Sequence, residues 1–226
     1  NAYTLTYAVL LLTGAALGDR FGRKRVFLAG LAVFTVGSAL AALAPSAHAL
    51  VAARALQGAG GGIAAPLTLT LLSAAVSPAR RGLALGIWGG ISGLAVAVGP
   101  VVGGAVVEGL SWQWIFWINV PIGAVLLPFA WLRLTESTGP DRSLDLPGLG
   151  LISTGLFGVV WGLVRGNEHG WSSVGVAIPI VIGAVLLAAF VFSGRYAFPA
   201  AARLESWRRN EIVPFSQSIS FHCSPR

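Results

Sequence analysis

The stretch whose reading decides the fold is "LGDRFGRKRV", Leu17 to Val26, in which Asp19, Arg20, Arg23, Lys24 and Arg25 all carry charge. It lies between "YTLTYAVLLLTGAA", residues 3–16, and "VFLAGLAVFTVGSALAALA", residues 26–44, and neither flank holds a charge. A soluble chain would spread such charges over its surface. A dense cluster between two uncharged runs suits a hairpin in a bilayer: the runs cross the hydrocarbon, and the cluster stays in water and resists translocation.

Composition extends this reading to the whole chain. Charged residues make up 10% of the 226 residues and apolar ones 55%, where a soluble domain averages roughly 25% charged. The mean hydropathy is +0.78. The net charge of +7 would suggest nucleic acid in a soluble protein. Here it falls in short clusters between apolar runs, with no basic patch interleaved with aromatics, which fits loops facing an anionic leaflet and no nucleic-acid partner. The single cysteine, Cys223, excludes an internal disulfide, and beside His222 it supplies too few ligands for a metal. The chain begins at Asn1, has no methionine and shows no signal peptide, so it reads as an internal fragment of a longer protein.

About 20 apolar residues span the hydrocarbon as a helix. Seven segments qualify, at roughly 2–17, 26–44, 48–75, 83–107, 114–132, 146–164 and 174–193. The expected fold is therefore an all-α integral membrane protein, a polytopic bundle of about seven transmembrane helices with the lipid bilayer as its solvent. Loop 18–25 holds four Lys or Arg, loop 76–82 two, stretch 133–145 two and the tail after 194 five, so thirteen of the fifteen fall on one side. Of the remainder, Arg165 lies on the other side and Arg54 within a span. The positive-inside rule makes the crowded side cytoplasmic, with Asn1 outside and the tail inside. Trp112, Trp114, Trp161 and Trp171 then fall near outer helix ends and Trp131 near an inner end, the pattern of an interfacial belt. Glycines recur at four-residue spacing, as at Gly58 and Gly62, Gly99 and Gly103, and Gly158, Gly162 and Gly166. Such rows let helices approach closely.

Three places could carry chemistry. In the opening stretch, Gly18 and Gly22 flank Asp19 and predict a tight turn in which Asp19 pairs with Arg20 or Arg23. In "LVAARALQGAGGG", residues 50–62, Arg54 lies inside an apolar run, with Gln57 and Gly58 on the same helix face. A charge within a span costs about 2.5–3.5 kcal/mol on insertion scales, which favours a functional residue facing the bundle interior; the alternative is an arginine snorkelling to the outer interface. In "AVAVGPVVGGAVVEG", residues 95–109, Pro100 removes a helical hydrogen bond, and Gly99, Gly103 and Gly104 admit a neighbouring helix at the kink.

Competing chemistries fail on spacing. "GAGGGI" has Ile63 where a dinucleotide fingerprint needs its third glycine, and the lone lysine, Lys24, precedes Arg25 rather than Ser or Thr, which excludes a P-loop. "GISG", residues 90–93, resembles an intramembrane serine-protease pattern, but His48, His169 and His222 sit at helix ends or in the tail, away from Ser92. No enzyme, cofactor or metal site is expected.

Together the motifs resemble those of the major facilitator superfamily, and most closely its fourteen-helix drug–proton antiporter branch. The family's loop motif between its second and third helices is matched by Leu17, Gly18, Asp19, Arg20, Gly22, Arg23 and Lys24, with Ala15 in place of the leading glycine. Its fourth-helix motif is matched by Arg54, Gln57 and Gly58. The fifth-helix antiporter motif is matched by Gly99, Pro100, Gly103 and Gly104, with Ala95 for its first glycine. A following pattern is matched by Trp112, Trp114, Phe116, Asn119 and Pro121, with Gln113 replacing an arginine.

The resemblance implies a secondary transporter of the bacterial plasma membrane that exports small amphipathic compounds against inward proton flow. Loop 18–25 would gate the cytoplasmic side, Arg54 would take part in proton coupling, and the Gly-Pro helix would limit leak. It also implies a layout: an N-terminal bundle over 1–132 holding helices two to six, a cytoplasmic linker over 133–145, two additional helices over 146–193 and a divergent tail over 194–226. The eight acidic residues, Asp19, Glu108, Glu136, Asp141, Asp145, Glu168, Glu205 and Glu211, all lie outside the spans. With no protonatable carboxylate in a span and one bundle where alternating access needs two repeats, the chain by itself is expected to insert but not transport. The alternative is a non-transporting membrane scaffold derived from such a protein.

Overall fold

The computed structural model describes residues 2–139, 145–171 and 173–208, and the side chains among these apart from 167–169 and 193–208. Asn1, Asp141, Arg142, Glu211, His222 and Cys223 lie outside the described residues. Among the described residues eight α-helices follow one another: α1 (Ala2–Phe21), α2 (Arg23–Ala42), α3 (Ala47–Ala75), α4 (Arg81–Gly109), α5 (Trp114–Trp117), α6 (Asn119–Arg133), α7 (Leu146–His169) and α8 (Val174–Arg208). The described residues contain no strand. The chain divides into two compact units, Asn1–Leu187 and Ala188–Arg226, and the features discussed below lie in the first. Among the described residues, six segments are long and apolar enough to cross a bilayer: Arg23–Ala42, Ala47–Ala75, Pro78–Gly109, Trp114–Arg133, Leu146–Gly166 and Val174–Phe192. The 20-residue α1 is the remaining long helix.

The helix limits follow from local chemistry. Ser46 caps α3, its side chain accepting from Ala49 N at 3.3 Å. Asp145 caps α7 by accepting from Gly148 N at 2.8 Å, and α7 stops at Gly170, whose positive φ of 81° glycine adopts without a Cβ penalty. The charged stretch departs from the expected open loop. Helix α1 continues to Phe21 and α2 begins at Arg23, so Gly22 alone interrupts them, at φ 105°. Gly18 is not a turn residue: it is helical and buried in α1, and a Cβ there would meet the Leu67 side chain. The expected segment 114–132 is split into α5 and α6 at Ile118, and α8 runs on past residue 193 to Arg208.

Without a hydrophobic drive between helices in lipid, packing depends on close approach at small residues. Helix α3 is packed on both α1 and α2. A Cβ built at Gly14 would lie 2.6 Å from Ile63 Cα, and one at Gly60 would lie 2.6 Å from Gly30 O. These glycines therefore set backbone-to-backbone contact, with Leu28, Ala41, Ala53, Leu67 and Leu71 buried around them. Helix α6 packs on α2, where a Cβ at Gly123 would meet Thr35. Helix α7 packs on α1, with Thr13 Oγ1 and Ser153 Oγ 3.2 Å apart, and meets α8 through Gly158 and Gly183. Helix α4 is the exception. None of its residues is buried, and its base is tied to α3 by Arg81 Nε, which donates to Ser73 O at 3.1 Å.

Candidate functional site

Two polar sites are built at opposite ends of the α1–α2–α3 bundle. The first surrounds Arg54 on α3. Its Nη1 donates to Gln57 Oε1 at 2.5 Å, and Gln57 Nε2 donates to Ser38 Oγ on α2 at 2.6 Å. Ser38 in turn donates to Phe34 O at 2.9 Å. Gln57 and Ser38 are almost fully enclosed, at 2% and 0% exposed, so the chain of hydrogen bonds satisfies groups that would otherwise be costly in hydrocarbon. The Arg54 guanidinium stacks over the Tyr3 ring at 4.3 Å and lies 5.4 Å from that of Phe116, contacts that favour a desolvated cation. No described carboxylate pairs with it. Arg54 itself is half-buried, its guanidinium engaged by Gln57 and by the rings of Tyr3 and Phe116.

Glycines position these groups. A Cβ at Gly58 would collide with Tyr3 O and Thr6 Oγ1. Its absence lets α1 come close enough for Thr6 Oγ1 to donate to Ala55 O at 2.9 Å, and so brings Tyr3 over Arg54. A Cβ at Gly37 would lie 2.7 Å from Gln57 N, so the bare α2 backbone there admits Gln57 beside Ser38. The sequence pointed to Arg54, Gln57 and Gly58 and not to Ser38 or Tyr3; Phe116 was matched to a separate motif, without its place beside Arg54. Ser38 did carry a signal, as a polar residue within the apolar run 26–44.

The second site is the α1–α2 junction. Asp19 pairs with Arg23, not Arg20: Arg23 Nε and Nη2 lie 2.8 and 2.7 Å from Asp19 Oδ1. The pair closes one turn across the break at Gly22. Arg20 lies over the ring of Phe21 at 5.3 Å and Lys24 over that of Trp131 on α6 at 5.5 Å. The residue missed here is Glu136, beyond the end of α6. Its Oε1 accepts from Lys24 N at 3.0 Å and its Oε2 from Arg25 N at 3.3 Å.

The third motif is not brought to either site. Gly99, Pro100, Gly103 and Gly104 lie on α4, and a Cβ at any of the three glycines would meet nothing within 4 Å. The neighbouring helix expected at Pro100 is not among the described residues. Ser92 donates to Trp88 O of its own helix at 2.8 Å, an intrahelical bond that accounts for its hydroxyl. No group of three or more metal-ligating side chains occurs among the described residues. Ser111, Gln113, Trp114, Trp117 and Pro121 line a hollow of about 440 Å³. In it the Oε1 of Gln113, where the motif has arginine, is buried without a hydrogen-bond partner among the described residues.

Long apolar helices joined by close glycine contacts, with polar side chains buried between them, define a polytopic α-helical membrane protein. The chain belongs to the Major Facilitator Superfamily, whose family model matches residues 1–208. It is 39% identical to the tetracenomycin C resistance and export protein of Streptomyces glaucescens over 77% of this chain and 33% of that protein. It is 42% identical to the cephamycin export protein CmcT of Amycolatopsis lactamdurans, over 84% of this chain and 40% of that protein. To the methylenomycin A resistance protein of Bacillus subtilis it is 37% identical, over 85% and 40%. The chain thus spans between a third and two fifths of the length of these curated relatives. Among solved structures, a proton-dependent oligopeptide family transporter shares the fold at a TM-score of 0.57 and 19% identity, covering 95% of this chain and 46% of that one.

Proposed function

We propose that this chain contributes the first-bundle helices of a proton-coupled exporter of small amphipathic compounds, of the fourteen-helix kind, in a bacterial plasma membrane. The observation that carries the reading is the network in which half-buried Arg54 is joined to the buried pair Gln57 and Ser38. A permanent cation without a described carboxylate partner, held by two aromatic rings and an amide inside a membrane bundle, is costly unless it is used. Arginine stays protonated at all working pH values, so its role is to bias a carboxylate that carries the proton, not to carry it. The relatives' names, which include resistance and export proteins for antibiotics, support small organic substrates. The basic side carrying loop 18–25 is then cytoplasmic, the loop with Gly18, Asp19, Arg20, Gly22, Arg23 and Lys24 gates that side, and Gly99, Pro100, Gly103 and Gly104 limit leak through α4.

The test uses a chain as long as the curated relatives that contains this segment. Arg54→Ala abolishes proton-driven efflux at unchanged abundance. Arg54→Lys keeps the charge but loses the planar fork that meets Gln57 and the rings, and retains part of the activity. Full efflux by the alanine variant would remove Arg54 from the mechanism and favour the scaffold alternative. For orientation, single cysteines at Ser46 or Ser111 in a Cys223→Ser background react with an impermeant thiol reagent on intact cells, and one at Ser77 does not. The reverse pattern inverts the topology.

A further inference from the structure

We propose that Glu136 is the positioning residue of the α1–α2 junction: its carboxylate, delivered from beyond α6, caps α2 and holds the charged loop in shape. The inference rests on the reading of that loop as the exporter's gate.

The need for such a residue begins at Gly22. A helix exposes unsatisfied N–H groups at its first turn, and an Asn, Asp or Ser at the N-cap normally accepts from them. Gly22 occupies the N-cap of α2 with φ 105° and offers no side chain. That φ is strained for any residue with a Cβ, and a Cβ there would lie 2.8 Å from Glu136 Cδ. The one-residue junction therefore excludes its own cap.

The segment after α6 supplies it. Arg23 N donates to Ser137 O at 2.8 Å, and Lys24 N and Arg25 N donate to the two oxygens of Glu136 at 3.0 and 3.3 Å. The first three N–H groups of α2 are thus met by two consecutive residues more than a hundred positions away. An anion at this end also complements the helix dipole. The contact is doubled on the α1 side, where Gly139 N donates to Asp19 O at 3.0 Å and a Cβ at Gly139 would lie 2.5 Å from Asp19 Cβ. Lys24, folded back over Trp131, ties the same loop to α6. The side-chain contact of Arg25 with Glu136, 3.6 Å at an Arg25 that is 79% exposed, is weak by comparison. Glu136 therefore acts through the backbone of Lys24 and Arg25, and through them on the Arg23–Asp19 pair.

The experiment places a reporter cysteine at Ser137, whose Oγ is buried, in the full chain with Cys223→Ser, in membranes with that side accessible. Its rate with an impermeant thiol reagent reads whether the segment is seated. Glu136→Ala raises the rate at least about tenfold. Glu136→Gln, which keeps one acceptor oxygen, gives an intermediate rate, and Arg25→Ala leaves the rate within about twofold. A second reporter at Ser46, at the opposite end of the bundle, does not change in any variant. The proposal is overturned if Glu136→Ala leaves the Ser137 reporter unmoved, if Arg25→Ala matches it, or if the Ser46 reporter accelerates in step, which would mean general loosening. In the relative-length chain, Glu136→Ala lowers efflux about tenfold, and Glu136→Gln restores part of it. Unchanged efflux with an unseated segment defeats the positioning role and leaves the exporter reading standing. No efflux from the unsubstituted chain defeats the exporter reading, and the thiol rates alone then decide the seating.

Discussion

Helices α3 and α4 are near-twins in sequence terms. Each has 29 residues, an internal proline (Pro66 and Pro100) and a run of glycines. Their surroundings differ completely. On α3, a Cβ at Gly62 would lie 2.5 Å from Tyr7 O of α1, and one at Gly60 would collide with Phe34 N of α2. On α4, Gly82, Gly86, Gly89, Gly90, Gly93, Gly99, Gly103, Gly104 and Gly109 all look onto open space, and side chains such as Val96 and Val101 are 77% and 73% exposed. A row of small residues therefore states that a helix can be approached closely, and not by what. In α3 the partners are two helices of the same bundle. In α4 the same surface remains free for a neighbour or for lipid.

The largest effect that could break this contrast comes from Gly60→Leu. Four heavy atoms forced into a backbone contact should destabilise the bundle by at least about 3 kcal/mol, the upper part of the range for overpacked cores, read as a shift in detergent-driven unfolding in bicelles. An unmoved midpoint would mean that the close approach of α2 and α3 is not what holds them. Gln57→Leu is next. It strands Arg54 without its acceptor and removes the bond to Ser38, for a loss of about 2 kcal/mol; Ser38→Ala should lose less, since it deletes the far partner only. The smallest effect has the opposite sign. Gly103→Ala on α4 meets no neighbour and gains helix propensity, so the chain should be unchanged or more stable by up to about 1 kcal/mol. Destabilisation by Gly103→Ala would reveal a packing partner for α4.

Six of the seven expected apolar segments reappear as helices long and apolar enough to cross a bilayer, and the seventh as the helix α1, because hydrocarbon thickness imposes a length and excludes charge along each run. Arg54 was visible for the same reason: one charge in an uncharged run has to be accounted for. What stayed hidden is long-range pairing. Nothing in the spacing of "TVGSAL" says that Ser38 meets Gln57, since that depends on Gly37 admitting a neighbouring backbone. Glu136 looked like any acidic residue in a polar linker, and only the fold brings it to Lys24 and Arg25. The loop's extent was misjudged because charge marks water exposure, and a helix can extend into water. Here α1 and α2 continue through most of the cluster and break at a single residue. The α4 glycines, at the same spacing as those of α3, predicted a neighbour that the described residues do not provide.

The aromatic cradle of Arg54 has a consequence for biosynthesis. Tyr3 and Gln57 are available to it almost as soon as α3 has been made, but Phe116 is encoded 62 residues after Arg54. At about 5–20 residues per second the second ring leaves the ribosome some 3 to 12 s later. For that interval the guanidinium has one aromatic face unmet, and the nascent bundle must shelter it by water or headgroups. The second ring contact is complete only once α4 and α5 have been made, although the glycine contacts of α1, α2 and α3 do not depend on it.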